Sequence, residues 1–268
     1  ALGLAAAYMA AEVIGGLYTN SLALLADAGH MLGDVSALSL ALVAGWLAKR
    51  PGPARRTYGN HRAEVLAALA NAVALLVVGV VIITEAVERW GAPRDVVVGP
   101  MLIVAFGGLL VNVAAMFILN GGQDDSVNMK GAFLHVAADA LGSVGAMASG
   151  IAIWAFDWRW ADAAASFAIA TLVIASAVSL LRRTLRIVME SAESDDDIDA
   201  LKQQLLDDVD VVDVHDVHVW TLSGKQRIAS AHVVASENAS ESEVLLRLHK
   251  RLAQEGGVDH ATLQVERA

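Results

Sequence analysis

The chain has 268 residues, 56% of them hydrophobic, a mean hydropathy of +0.53 and no cysteine. Its apolar content exceeds the ~45–50% of ordinary soluble domains, and without thiols neither a disulfide framework nor a thiolate metal site can form. Residues 190–268 hold 17 acidic and 7 basic side chains, a net −10, while the first 189 hold 12 of each, so a neutral apolar body precedes an acidic tail that is a poor partner for nucleic acid or anionic lipid and attracts cations.

A membrane-spanning helix needs ~20 mostly apolar residues. Stretches 1–18, 22–48, 64–90, 97–120, 127–156 and 160–188 reach or approach that length. The first begins inside a hydrophobic run, and no cleavable signal sequence is expected. The breaks are Thr19-Asn20, Lys49 to Arg62, Gly91 to Asp95, Gly121 to Asp125 and Asp157 to Arg159, all rich in polar residues, Gly or Pro. Lys49, Arg50, Arg55, Arg56 and Arg62 fall on the same side as Arg182, Arg183 and Arg186, and the positive-inside rule makes that side cytoplasmic. Arg89 and Arg94 lie on the other side, accompanied by Glu85, Glu88 and Asp95. The tail is therefore expected in the cytoplasm.

From Asp195 the pattern becomes that of a small α/β domain. Ile198 to Leu206 reads as a short amphipathic helix. Val211 to Leu222 and Arg227 to Ala235 read as strands joined by the turn Ser223-Gly224-Lys225. Glu241 to Glu255 is a predicted helix with apolar spacing at Val244, Leu245, Leu248 and Leu252, and His260 to Glu266 alternates as a half-buried strand does. The predicted architecture is an all-α six-helix membrane bundle over residues 1–190, followed by a C-terminal α+β domain over 191–268.

Two spans share a local pattern. The second reads Asp27-Ala-Gly29-His30-Met-Leu-Gly33-Asp34, and the fifth reads His135-Val-Ala-Ala-Asp139-Ala-Leu-Gly142. Each contains His-x-x-x-Asp, and residues four apart on a helix lie on one face with Cβ atoms ~5–6 Å apart. Two such helices side by side supply two imidazoles and two carboxylates, a tetrahedral donor set that Zn²⁺ accepts. A lone intramembrane His can simply pack and hydrogen-bond. Ionisable groups in spans cost ~2.5–3.5 kcal/mol each on insertion scales, however, and two identical pairs in separate spans mark an ion path. Gly29, Gly33 and Gly142 flank the ligands and permit close helix approach. Asp27, one turn before His30, can orient that imidazole or stand in water near the membrane surface. Asn112 and Glu12 are weaker candidates for a polar lining.

These pairs, with Tyr58-Gly-Asn-His61-Arg-Ala-Glu64 opening the third span, Val214-His215-Asp216-Val217-His218-Val219-Trp220 in the tail and His260-Ala-Thr-Leu-Gln-Val-Glu266 near its end, resemble the cation diffusion facilitator family of zinc transporters. The resemblance covers nearly the whole chain. It implies a homodimer in the lipid bilayer of a prokaryotic plasma membrane, a ferredoxin-like cytoplasmic domain, and metal/proton antiport by alternating access. It also implies a transport site at His30, Asp34, His135 and Asp139, and regulatory zinc ligands at His218, His232 and Glu266. Some members carry a second site in the loop after the second span, built from an Asp and two His. Here Thr57 and His61 stand where the two His would be, beside Ala54, Arg55 and Arg56, so that site is expected to be absent or crippled. The stretch Gly121 to Asp125 is too short for a His-rich loop.

Two imidazoles with two carboxylates favour Zn²⁺ or Co²⁺, Cd²⁺ can occupy the same ligands, and Mg²⁺ is disfavoured by its demand for octahedral oxygen. Zinc binds deprotonated ligands, so protons compete with it and serve as the counter-ion, His being the natural carrier near pH 6.5. Exchange of one proton per Zn²⁺ would move a net charge outward, opposed by ~2.3 kcal/mol per 100 mV of inside-negative potential. In the tail, strand parity predicts that His215 and His218 point opposite ways, while His218 and His232 can meet across adjacent strands. An intramembrane zinc enzyme is disfavoured, because no His-Glu-x-x-His occurs and four protein ligands leave no place for a catalytic water. A membrane metal sensor or scaffold without transport is the alternative, and metal movement in vesicles separates the two.

Overall fold

Alternation of long apolar runs with short polar breaks produces six long helices. They are α1 (Leu2–Thr19), α2 (Leu22–Ala48), α3 (Arg62–Gly91), α4 (Val98–Asn120), α5 (Val127–Phe156) and α6 (Ala161–Val188). The computed structural model describes residues 2–48, 55–120, 127–192, 194–223 and 226–267. Lys49, Arg50, Ala54, Gly121 to Asp125 and the Gly224-Lys225 of the predicted turn lie outside the described residues. Five of the helices are long and apolar enough to cross a membrane: α1, α3, α4, α5 from Val136, and α6. The remaining one, α2, matches them in length but carries Asp27, His30 and Asp34.

The chain divides into two compact units, 1–42 with 70–181 and 43–69 with 182–268. In the first, the usual inside-outside rule is inverted. Ala23, Ala26, Ala72, Ala105, Ala146, Ala170 and Ala177 are buried, while Ile103, Phe117, Ile118 and Trp154 are each more than 70% exposed. Small residues let helices approach, and large apolar residues facing outward suit hydrocarbon rather than water. α2 packs on two sides. Leu22 and Ala26 join Leu75 and Ile82 of α3 and Ala170 and Val173 of α6, whereas Ala23 and Leu24 join Met101 and Ala105 of α4 and Ala146 of α5.

The start of α2 is pinned by Asp162 of α6. Its carboxylate accepts from Ser21 Oγ at 2.7 Å and from the backbone N–H of Leu22 and Ala23 at 2.7 and 3.2 Å. An anion at a helix N-terminus satisfies donors that have no partner within the helix. Arg89 lies 3.8 Å from the same carboxylate and donates to the Asn20 carbonyl at 2.7 Å. Near the same end Trp158 stacks on Trp160 with ring centroids 5.5 Å apart, and the tilted ring of Trp90 meets Trp160 at 5.6 Å.

In the second unit the remaining elements are α7 (Asp195–Leu206), β1 (Val211–Ser223), β2 (Gln226–Ala235), α8 (Glu241–Gln254) and β3 (His260–Arg267). This helix-strand-strand-helix-strand order agrees with the sequence reading. α7 begins three residues earlier than predicted because Ser194 caps it, its hydroxyl accepting from the Asp197 N–H. β1 and β2 form an antiparallel hairpin, and β3 returns through α8 to pair parallel with β2. Val244, Leu248 and Leu252 of α8 pack with Leu201 and Leu205 of α7 on Val214, Val219, Ala229, Ala231 and Val233 of the sheet.

Candidate metal centres

Inside the first unit α2 meets α5. His30 Nε2 lies 3.0 Å from Asp139 Oδ1, and donor atoms of His30, Asp34 and Asp139 all fall within 4.8 Å of one another. The helical i, i+4 relation sets His30 and Asp34 on one face of α2, and the Gly33–Leu75 and Gly142–Asp27 contacts bring α3 and α5 close to it. A Cβ on Gly142 would stand 2.5 Å from Asp27 Oδ1, and one on Gly33 would stand 2.9 Å from Leu75 Cδ1. His135 occupies the expected helical position one turn before Asp139 on α5, but its side chain lies outside the described residues.

His30 and Asp34 open into a cavity of about 210 Å³ that Asn71 of α3 and Ser176 of α6 also line. Asn71 Nδ2 donates to the Gly33 carbonyl at 3.4 Å, tying α3 to the ligand-bearing turn. Neither Asn71 nor Ser176 figures in the reading of the sequence. The available signal was an amide at position 71 in an otherwise apolar run. Asn112 is half-buried on α4. Asp27 bonds to Ser143, whose hydroxyl donates at 3.3 Å, which places it inside the bundle and not in water at the membrane surface.

In the second unit a different cluster forms from His215, His232 and Glu266. His232 Nδ1 is 2.7 Å from Glu266 Oε1, His215 Nε2 is 3.5 Å from Glu266 Oε2, and the two imidazole centroids are 5.2 Å apart. The His232 ring, hydrogen-bonded to Glu266, holds that carboxyl below the usual carboxylate range. His218, expected beside His232, instead bonds to Asp216 Oδ1 at 3.0 Å, while Asp216 Oδ2 lies 3.8 Å from His232 Nε2. His215 and His218 share a face of β1 and do not point opposite ways. His215 pairs with His232 and His218 with Ser230, so β1 contains one extra residue between them. A bulge of this kind returns residues three apart to the same face. His61 joins neither cluster.

The description "Cation efflux transmembrane domain" matches residues 1–189, and "Cation efflux protein, cytoplasmic domain" matches residues 194–268. The chain belongs to the cation efflux family. It is a multi-pass membrane protein of a transporter family and not an enzyme, and the resemblance carried by the His-x-x-x-Asp pairs and His215-Asp-Val-His218-Val-Trp220 is borne out. Among relatives, this cation efflux protein is 39% identical to the "Cadmium, cobalt and zinc/H(+)-K(+) antiporter" of Bacillus velezensis, over 97% of this chain and 85% of that protein. It is 39% identical to the "Metal cation efflux system protein CzcD" of Cupriavidus metallidurans, over 100% and 85%. Identity to the "Zinc transporter ZitB" of Escherichia coli is 38%, over 99% and 85%.

Proposed function

We propose that this cation efflux protein exports Zn²⁺ from the cytoplasm in exchange for protons, by alternating access of a homodimer in a prokaryotic plasma membrane. The supporting observation is the approach of His30 to Asp139 at 3.0 Å, with Asp34 in reach, between two helices of the apolar unit. The i, i+4 spacing on α5 makes His135 the fourth ligand, completing an N₂O₂ set suited to Zn²⁺ and tolerant of Co²⁺ and Cd²⁺. The relatives are named for zinc, cadmium and cobalt, and one for exchange with H⁺ and K⁺, which supports both the cargo and the counter-ion.

Transport follows from the ligand chemistry. Imidazole and carboxylate bind metal only when deprotonated, so an incoming proton and the metal exclude each other at the same atoms. The transport domain is assigned to residues 1–190 and the cytoplasmic domain to 191–268. In the latter, His232 and Glu266 act as regulatory zinc ligands, with His215 as the third donor in place of His218. Zinc bound there would draw two copies together and bias the membrane part.

The test is flux. Purified protein in liposomes, with a zinc indicator inside and a pH gradient imposed, should show zinc movement coupled to counter-movement of protons. His30→Ala and Asp139→Ala should abolish both. Normal zinc flux in either variant removes this reading, and zinc binding with no flux in the wild type would leave a sensor.

A further inference from the structure

Glu12 of α1 is wholly buried, and neither of its carboxyl oxygens has a hydrogen-bond donor. Its polar neighbours are the Asp27 carboxyl on α2 and the Tyr8 phenol one turn earlier on α1. Tyr8 has a single proton to give, and it donates that proton to the Val104 carbonyl of α4 at 2.9 Å. Toward Glu12 the phenol can therefore only accept. Asp27, 3% exposed, receives the Ser143 hydroxyl from α5 but nothing from Glu12 unless Glu12 carries a hydrogen. The other titratable groups acting on this pair are Asp139 from α5 and His30 one turn further along α2, while α4 offers only backbone.

Two ionised carboxyls that neighbour each other in a buried interior repel and leave Glu12 without any donor, an arrangement that burial makes very costly. A single proton removes both problems at once, because a Glu12 hydroxyl donates to Asp27 and the repulsion becomes a hydrogen bond. We propose that Glu12 and Asp27 form a buried acid pair that binds one proton, at a site separate from the metal ligands, and that this proton leaves when a divalent ion occupies the His30–Asp34–Asp139 cluster. The second half of this statement rests on the exchange reading above. The first half stands on packing alone.

The step balances. On arrival of the metal the Glu12 O–H bond breaks, the proton passes to water, and the pair goes from one negative charge to two beside a cation of two positive charges. On metal departure the pair takes one proton back. This places an exchangeable proton on groups that do not compete sterically with the metal.

The full chain in lipid membranes should show at neutral pH the infrared carbonyl band of a protonated carboxyl, shifted by deuterium, lost in Glu12→Gln and lost or moved in Asp27→Asn, where the amide changes the partner. Zinc addition should diminish that band in the wild type. Proton release on zinc binding in weak buffer should fall by about one per Zn²⁺ in Glu12→Gln, and the slope of log affinity against pH should fall by about one, as linkage requires. A buried Glu that only packs would leave slope and release unmoved. Absence of the band from the wild type, or its persistence in both variants, overturns the acid pair. A wild-type band that zinc does not change, with unaltered release in Glu12→Gln, overturns the coupling. Loss of zinc-driven proton movement in the wild type itself would instead sink the exchange reading and leave the band to decide the pair.

Discussion

Asp216 has a φ of +52°, in the left-handed region that residues other than glycine seldom adopt. Its carboxylate bonds to His218 and approaches His232, so one strained residue both makes the bulge and links two histidines. Zinc binding to the cytoplasmic cluster, measured in a His30→Ala background, should be abolished by His215→Ala. His218→Ala removes only a partner of Asp216 and should cost up to ~10-fold, as loss of a supporting hydrogen bond does. At the membrane cluster, zinc affinity should fall as pH is lowered, because protons and metal compete for the same ligand atoms. Calorimetry at several pH values checks this. Asp208, which is buried, gives a pH effect on stability that also weakens as pH falls. Arg247 grips it at 2.7 and 2.9 Å and holds its carboxyl below the usual range. A depressed native pKa stabilises the fold above the unfolded value near ~3.9 and is lost as pH falls through the native value. Acid melting curves should thus separate wild type from Asp208→Asn at neutral pH and converge in strong acid.

At the scale of elements, α2 is the centre of the membrane unit, and its register depends on its first turn. Asp162 supplies that turn with three acceptor contacts, so Asp162→Ala should cost ~1–3 kcal/mol of stability through the lost cap and the unsatisfied donors. Thermal melting of the detergent-solubilised protein measures it. Zinc flux should suffer as well, since His30 stands barely two turns further on. α8 carries the second core. Leu248, with no exposed surface, should cost ~2–5 kcal/mol when cut to Ala, read as faster hydrogen exchange across β1 and β2. Both helices were legible in the residues beforehand, α2 from its length and α8 from apolar spacing at positions 244, 248 and 252. What anchors α2 was not legible. Asp162 and Ser21 are 141 positions apart, and nothing local to either one announces the contact.

In the first unit, large apolar residues turned outward and small residues turned inward describe a solute for lipid. Trp90, Trp158 and Trp160 gather at the ends of α3 and α5 and the start of α6, where aromatic rings favour the membrane interface. The arginines of positions 182, 183 and 186 sit at the opposite end of α6. This polarity supports a cytoplasmic tail. Chemical cross-linking in membranes should trap a dimer, and zinc should raise the yield in wild type but not in His215→Ala if the cytoplasmic cluster governs association.

Residue order alone determined the six long helices, the strand and helix order of the tail, and the two His-x-x-x-Asp pairs. Each of these is a local property, readable from periods of 3.6 and 2 and from the cost of placing ionisable groups in hydrocarbon. Tertiary structure decided the rest. It brought Asn71 and Ser176 to the cavity beside His30 and Asp34, buried Glu12 near Asp27, and set His215 beside His232 and Glu266 on a strand that carries one inserted residue. Such outcomes depend on which distant segments pack together and on a single backbone torsion, and neither is encoded in the spacing of residues along one element.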